Sequence, residues 1–253
     1  MWALITGASS GIGKDMAIYL SSKGYDLVLT SSPKSKEALN SLKDTLNTNV
    51  KTFSIDLSNQ EAPFKLYEFC KGLDIHILVN SAGFGVFGAF DKTSLDRELS
   101  MINVNIVALH VLTKLFLKDF KSKNRGYILN VSSSAGFMTG PLLSSYYASK
   151  NYVLRLSLAI NEELRRERSN VKISVLCPGP VDTNFNSTAG VSFSVKPLSS
   201  EYVSHYAIDS MFKGKCIIVP SFTMKLGIFA TRFVPYSVLA KVTYSIQKAK
   251  LSQ

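Results

Sequence analysis

The sequence predicts an α/β fold, a doubly wound sheet of about seven parallel strands with helices on both faces. Three observations predict it. Short apolar runs alternate along the chain with longer stretches of helical period. The runs are apolar at nearly every position, as a sheet covered on both faces requires. Strict β-α alternation implies right-handed crossovers and therefore parallel strands, with ligands at the carboxyl ends of those strands.

Taken in order, WALIT at 2–6 leads into a helical stretch reaching about Lys23. DLVLT (26–30) is followed by KEALNSLKDTL (36–46), whose apolar residues at 38, 39, 42 and 46 fall on a helix face. KTFSI (51–55) precedes a short helix near 61–71, and IHILV (75–79) precedes a long helix ending near Phe120. GYILNVS (126–132), a second long helix from about Ser145 to Arg168, VKISVLC (171–177) and KCIIVP (215–220) complete the set. With 253 residues, 46% of them hydrophobic, the chain can bury one sizeable core, so a single domain over 1–253 is expected. The stretch 183–200, TNFNSTAGVSFSVKPLSS, is polar and punctuated by Gly and Pro. Its length suits a functional loop that shapes a substrate pocket better than a connector.

Cys70, Cys177 and Cys216 are odd in number and widely spaced, which suggests neither a disulfide framework nor a zinc site. A reducing cytoplasm fits, and the opening MWALITGASSGIG does not resemble a secretory leader. His76, His110 and His205 are isolated, and no metal is expected. The formal charge of +11 is compatible with nucleic acid, an acidic membrane surface or an anionic cofactor, and its distribution separates these. Residues 210–253 contain no Asp or Glu but seven basic residues, Lys213, Lys215, Lys225, Arg232, Lys241, Lys248 and Lys250, interleaved with apolar side chains. Such a basic, apolar-rich C-terminal extension can lie peripherally in a membrane interface, cover a substrate pocket, pack against another subunit, or lie on the domain surface with its lysines solvated. No recognised nucleic-acid motif accompanies the charge.

TGASSGIG, Thr6 to Gly13, stands where the first strand meets the first helix. Glycines at 7, 11 and 13 allow a tight turn and a close backbone approach to a diphosphate at the helix N-terminus. This block resembles the cofactor turn of the short-chain dehydrogenase/reductase family, whose fold is Rossmann-type. Further blocks follow in that family's order: NSAG (80–83), VNIVA around Asn105, NVSSSAG (130–136), YYASK (146–150) and PGPVDT (178–183). The resemblance implies cofactor contacts from Gly7, Ser9, Ser10, Gly11, Ile12 and Gly13. It extends them to Asn80, Ala82 and Gly83, to Tyr146 and Lys150, and to Pro178, Gly179, Val181 and Thr183.

Two tyrosines precede Lys150, and spacing separates them. Tyr146 stands four residues before it, on the same helix face and about 5–6 Å away at Cβ, whereas Tyr147 is offset around the helix and expected to pack. A phenol titrates at about 10, and a nearby ammonium is expected to lower that value and make acid-base work possible. Ser133 lies thirteen residues before Tyr146, the separation usual in the resembled family, although Ser132 and Ser134 flank it. By resemblance, Ser133 would orient a substrate carbonyl, and Asn105 would hold a water that connects Lys150 to solvent.

A carboxylate ending the second strand would bind both ribose hydroxyls of NAD and repel a 2′-phosphate. Here the chain has Ser31 and Ser32, with Lys34 and Lys36 beyond, so NADP(H) is favoured over NAD(H). Asp56 and Leu57 resemble the residues that meet the adenine, although Asp also commonly caps a turn. The expected activity is hydride transfer between NADP(H) and a carbonyl or secondary alcohol substrate, with Ser133, Tyr146, Lys150 and Asn105 as the catalytic set. The alternative is a dinucleotide-binding sensor or scaffold with little turnover. A homodimer or homotetramer is implied by the resemblance.

Overall fold

The computed structural model describes residues 1–183 and 197–248. Strands and helices alternate as β1 (Trp2–Thr6), α1 (Gly11–Ser22), β2 (Asp26–Ser31), α2 (Lys36–Asp44), β3 (Val50–Ser54), α3 (Ala62–Phe69) and β4 (Ile75–Asn80). Then come α4 (Leu95–Ile102), α5 (Leu109–Lys123), β5 (Tyr127–Val131), α6 (Ser144–Arg166) and β6 (Lys172–Leu176). The chain continues through β7 (Val181–Asp182), β8 (Leu198–Ser199), α7 (Ser200–Phe212), β9 (Ile217–Ile218), α8 (Phe222–Ala230) and α9 (Tyr236–Lys248).

Seven strands form one parallel sheet in the order β3-β2-β1-β4-β5-β6-β9. The order reverses between β1 and β4, which opens a crevice at their carboxyl ends. Alternate residues of each strand face opposite layers, as the period of two requires. Ala3, Ile5, Leu27, Leu29, Ile77 and Val79 pack with Met16, Leu20, Leu39 and Met211. Leu4, Val28, Leu78 and Ile128 pack on the other side with Leu66, Leu112, Phe116 and Phe120. Both faces of the sheet are therefore dry, which explains the continuously apolar strands.

Three details depart from the sequence reading. The long helix before β5 consists of α4, a wide π-helical turn over Asn103–Ala108, and α5. The stretch Leu95–Lys123 is long and apolar enough to cross a bilayer by length and composition. Its residues Ala108, Leu112, Phe116 and Phe120 nevertheless pack in the core of the domain. The last sheet strand is only Ile217–Ile218, shorter than the run at 215–220 suggested. Val181–Asp182 and Leu198–Ser199 form a small separate parallel pair at the two ends of the expected 183–200 loop. Residues 184–196 of that loop, and Lys250 of the basic segment, lie outside the described residues.

Candidate active site

The glycine turn is shaped by contacts that leave no room for side chains. Gly7 has φ +68°, and a Cβ there would stand 2.8 Å from the Ala82 Cα. A Cβ on Gly13 would meet the Gly7 carbonyl oxygen at 2.3 Å, and one on Gly11, at φ +52°, would meet the Thr183 methyl at 2.9 Å. Three distant segments thus close on one another at the crevice. Thr6 fastens two of them, because its Oγ1 accepts the amides of Ser81 and Ala82, each at 3.0 Å. Ser204 on α7 donates to the Ile12 carbonyl at 3.1 Å and steadies the first turn of α1.

Helix α1 begins at Gly11 with no side-chain cap from Ser10 and no acidic residue in its first turn. Its terminal amides and dipole, answered by neither a cap nor a carboxylate, are a donor set suited to a diphosphate. The fit to a nicotinamide dinucleotide is therefore good at the turn. At the end of β2, Ser31 is buried and donates to the carbonyls of Ser32 (3.3 Å) and Ser35 (3.5 Å). Ser32, Lys34 and Lys36 are exposed beside it.

Three expected cofactor residues use their side chains otherwise. Asn80 turns inward, donating to Asn130 Oδ1 at 2.9 Å and Thr113 Oγ1 at 3.1 Å, so that what it offers the crevice is backbone. Its amide instead ties β4 to β5 and α5. Leu57 is packed in the core layer with Leu66 and Leu112, and the exposed Asp56 accepts the Ser58 amide at 2.9 Å as a turn cap. Gly179 lies beneath Met224 of α8, while Pro178 accepts the Ser134 amide and Val181 is buried in β7.

Asn105 and Lys150 meet over Gly83, and the hydrogen-bonded Tyr146–Ser133 pair lies beside Lys150. A Cβ on Gly83 would stand 2.9 Å from Asn105 Oδ1 and 3.3 Å from Lys150 Nζ. Asn105 sits in the π-helical turn, a local widening often found at functional sites. Its Oδ1 accepts the Phe84 amide at 3.1 Å, and its Nδ2 donates to the Phe84 carbonyl (3.0 Å) and to Ser149 Oγ (3.1 Å). The amide therefore locks the loop after β4 against α6.

The triple serine resolves as well. Ser132 is buried and donates to the Lys150 carbonyl at 2.8 Å, whereas Ser133 caps a short 3₁₀ turn through the Ala135 amide and shares a side-chain hydrogen bond with Tyr146. Neighbours on an extended chain point opposite ways, which separates the two. Tyr147 packs against Gly140 and accepts a hydrogen bond from Gln247 at 2.9 Å, the packing role its offset suggested.

One electrostatic expectation is overturned. Burial is the main influence on Tyr146 and pushes its phenol up to about 12, opposed by the hydrogen bond shared with Ser133 and reinforced by Tyr147. Lys150 does not lower it. Its ammonium is directed to the Val131 carbonyl at 3.0 Å and lies 5.8 Å from the Tyr146 ring centre. Burial brings Lys150 itself down to about 8, with Cys177 opposing. Cys177, at the end of β6, is raised to about 12 by the same burial. Desolvation penalises every charged form in this pocket.

Sequence reading missed Thr6, Ser149 and Val131 as parts of the site. Thr6 opens the quoted glycine block and was open to recognition. Ser149 and Val131 carry no local signal, since each acts only through a partner on another element.

The short chain dehydrogenase family profile matches residues 1–191. A very-long-chain 3-oxoacyl-CoA reductase from Pyrenophora tritici-repentis is 32% identical over 249 residues, covering 85% of this chain and 72% of that protein. The 17-beta-hydroxysteroid dehydrogenase type 3 of Rattus norvegicus is 36% identical over 186 residues, 72% of this chain and 60% of its own length. The chain thus spans less than two thirds of the rat protein. Among solved structures, a short-chain dehydrogenase from Sphingobium yanoikuyae in complex with NADPH has a TM-score of 0.80 at 27% identity, covering 87% of this chain and 88% of that one. One from Burkholderia phymatum in complex with NAD has the same TM-score of 0.80 at 23% identity, covering 90% and 91%. The profile match over most of the chain, with the sheet order and the crevice geometry, makes this protein a member of the short-chain dehydrogenase/reductase family of oxidoreductases.

Proposed function

We propose that the protein is an NADPH-dependent reductase of ketones, with the 3-oxo group of a long-chain acyl thioester as its preferred substrate class. The single observation that carries this reading is the meeting of Asn105 and Lys150 over Gly83 with the Ser133–Tyr146 pair beside Lys150. The bound dinucleotide would supply the hydride. Gly7, Gly11, Gly13 and the first turn of α1 would hold its diphosphate, and Lys150 would reach its nicotinamide ribose. Ser31 and Ser32, with no carboxylate, leave room for the 2′-phosphate of NADP(H).

Ser133 would hold the substrate oxygen by a hydrogen bond. Tyr146 would give its phenolic proton to that oxygen as negative charge develops there. A phenol is protonated at neutral pH even when unperturbed, and burial raises Tyr146 further, so it can serve as the acid that the reductive direction needs. Asn105 holds the Phe84 backbone and α6 in register, so the two hydroxyls and the ammonium stay in place.

A groove of about 430 Å³ on the Tyr147 side of α6 is lined by Phe137, Met138, Ala148, Arg155 and Tyr236, among others. Its aromatic and thioether walls suit an apolar chain. The relatedness to a 3-oxoacyl-CoA reductase and to a hydroxysteroid dehydrogenase supports the same apolar class. The test is NADPH consumption with 3-oxoacyl-CoA esters of rising chain length and with ketosteroids. Turnover that improves with chain length is expected. In Tyr146→Phe, kcat should fall by about 10²–10⁴ while NADPH still binds. Tight NADPH binding with no turnover anywhere on the panel would favour the sensor reading instead.

A further inference from the structure

A helix on the surface of a globular protein turns its apolar stripe inward. Helix α9 does the reverse. Its buried row is Leu239, Thr243 and Gln247, so two of the three positions facing the protein are polar. Thr243 donates to the Leu239 and Ala240 carbonyls of its own helix, and Gln247 donates to Tyr147. Val238, Val242 and Ile246, also spaced four apart, are exposed. Helix α8 repeats the pattern. Ile228 is buried, while Phe222 is 79% exposed, Leu226 62%, Phe229 54% and, just beyond the helix, Phe233 74%. Phe229 and Phe233 meet edge to face at 5.3 Å, with no third ring over them among the described contacts.

The charge on the same segment has one sign. Residues 210–253 hold seven basic residues and no acidic one. Lys225 lies one turn from both Phe222 and Phe229, Arg232 one turn from Phe229, Lys241 one turn from Val238, and Lys248 one turn from Tyr244. Tyr236, 76% exposed, and Tyr244 add amphipathic rings of the kind favoured at a lipid headgroup level.

We propose that the outer surface of α8 and α9 docks on a bilayer containing anionic phospholipid. The exposed phenylalanines and the Val242–Ile246 edge would enter the boundary between headgroups and acyl chains. Arg232, Lys241 and Lys248 would lie against the phosphate-bearing headgroups, whereas the Lys225 ammonium donates to Tyr206 Oη at 3.2 Å. Charge decides the occupant. A two-fold contact between copies of this chain is self-complementary, so it would set lysine against lysine with no carboxylate from either segment to answer it. An anionic membrane supplies both the apolar layer and the negative field that the surface lacks. Tyr236 also lines the groove of about 430 Å³, so docking would bring that groove to the lipid. Docking of this kind does not depend on which ketone is reduced.

The experiment is flotation of the whole chain with phosphatidylcholine vesicles, with and without phosphatidylserine, at low and high salt. Binding to the phosphatidylserine vesicles is expected, weaker by about ten-fold or more on phosphatidylcholine alone, and weakened by salt. The combined variant Phe222→Ser, Phe229→Ser, Phe233→Ser and, separately, Lys241→Glu with Lys248→Glu should each lower binding by about ten-fold or more. The charge-reversal pair alters only exposed side chains, so it stands even if the serine variant fails to fold. No binding to phosphatidylserine vesicles at low salt, or binding indifferent to the charge reversal, overturns the proposal. So does a solution dimer that ignores vesicles and dissociates in the serine variant.

Discussion

Lys150 Nζ donates to the Val131 carbonyl at 3.0 Å, tying the cation of α6 to the end of β5 within a pocket where burial brings its titration down to about 8. An unfolded lysine titrates near 10.4. Between these values the unfolded chain binds more protons than the folded one, so stability contributed at this residue rises with pH through that window and is lowest below it. The unfolding free energy of wild type minus that of Lys150→Met should therefore increase from pH 7 to pH 10, by on the order of 2–4 kcal/mol. Denaturant unfolding of both proteins at the two pH values measures it, and Cys70 and Cys177 largely cancel in the difference. A flat or falling difference would mean that Lys150 titrates as an exposed amine.

Adjacent serines should have separable effects. Ser133→Ala removes the hydroxyl paired with Tyr146 and the cap on the Ala135 amide, and kcat should fall by about ten-fold to a thousand-fold with about 0.5–2 kcal/mol of stability lost. Ser132→Ala removes a buried donor to the Lys150 carbonyl, which should cost about 1–3 kcal/mol of stability. Steady-state kinetics beside thermal unfolding distinguishes them, and a reversed pattern would exchange the two roles.

Gly13→Ala would drive a Cβ into the Gly7 carbonyl, a clash with backbone that a side-chain rotation cannot relieve. Loss of at least about 1–3 kcal/mol of stability is expected, together with loss of NADPH binding as the turn opens. Gly227→Ala on α8, where nothing lies within 4 Å, is the control and should be neutral or stabilising by up to about 1 kcal/mol. Titration of NADPH fluorescence and thermal melts read both. Retained tight binding in Gly13→Ala would remove the turn from the cofactor site.

Ser31→Asp places a carboxylate at the end of β2. It should repel a 2′-phosphate and accept ribose hydroxyls, moving the NADPH to NADH ratio of kcat/KM by about ten-fold or more towards NADH. An unchanged ratio would locate cofactor choice elsewhere, with the exposed Lys34 and Lys36 as the next positions to replace.

Widening the test to the groove, Ala148→Phe places a ring among Phe137, Met138 and Tyr236. KM for long 3-oxoacyl chains should rise while short ones are spared. Equal effects on both would show that the chain runs elsewhere.

Much of this was readable in one dimension, and the exceptions are instructive. Strand WALIT and its successors were legible because a sheet buried on both faces needs unbroken apolar runs, and the Tyr146–Lys150 pair because helical spacing fixes which side chains share a face. The wide turn at Asn103–Ala108 left no mark, since NVNIVA satisfies an ordinary helix equally well. Nor did the inward amide of Asn80, whose partners Thr113 and Asn130 come from other elements.

By itself the sequence determined the order of elements, the glycines that a crowded turn requires, and which hydroxyl and amine lie one helical turn apart. These follow from local sterics and periodicity. Tertiary structure alone decided where the ammonium of Lys150 points, how far Tyr146 is removed from water, and which sides of α8 and α9 are left apolar. Direction and desolvation depend on what lies across the gap, and a chain read in order contains no gap.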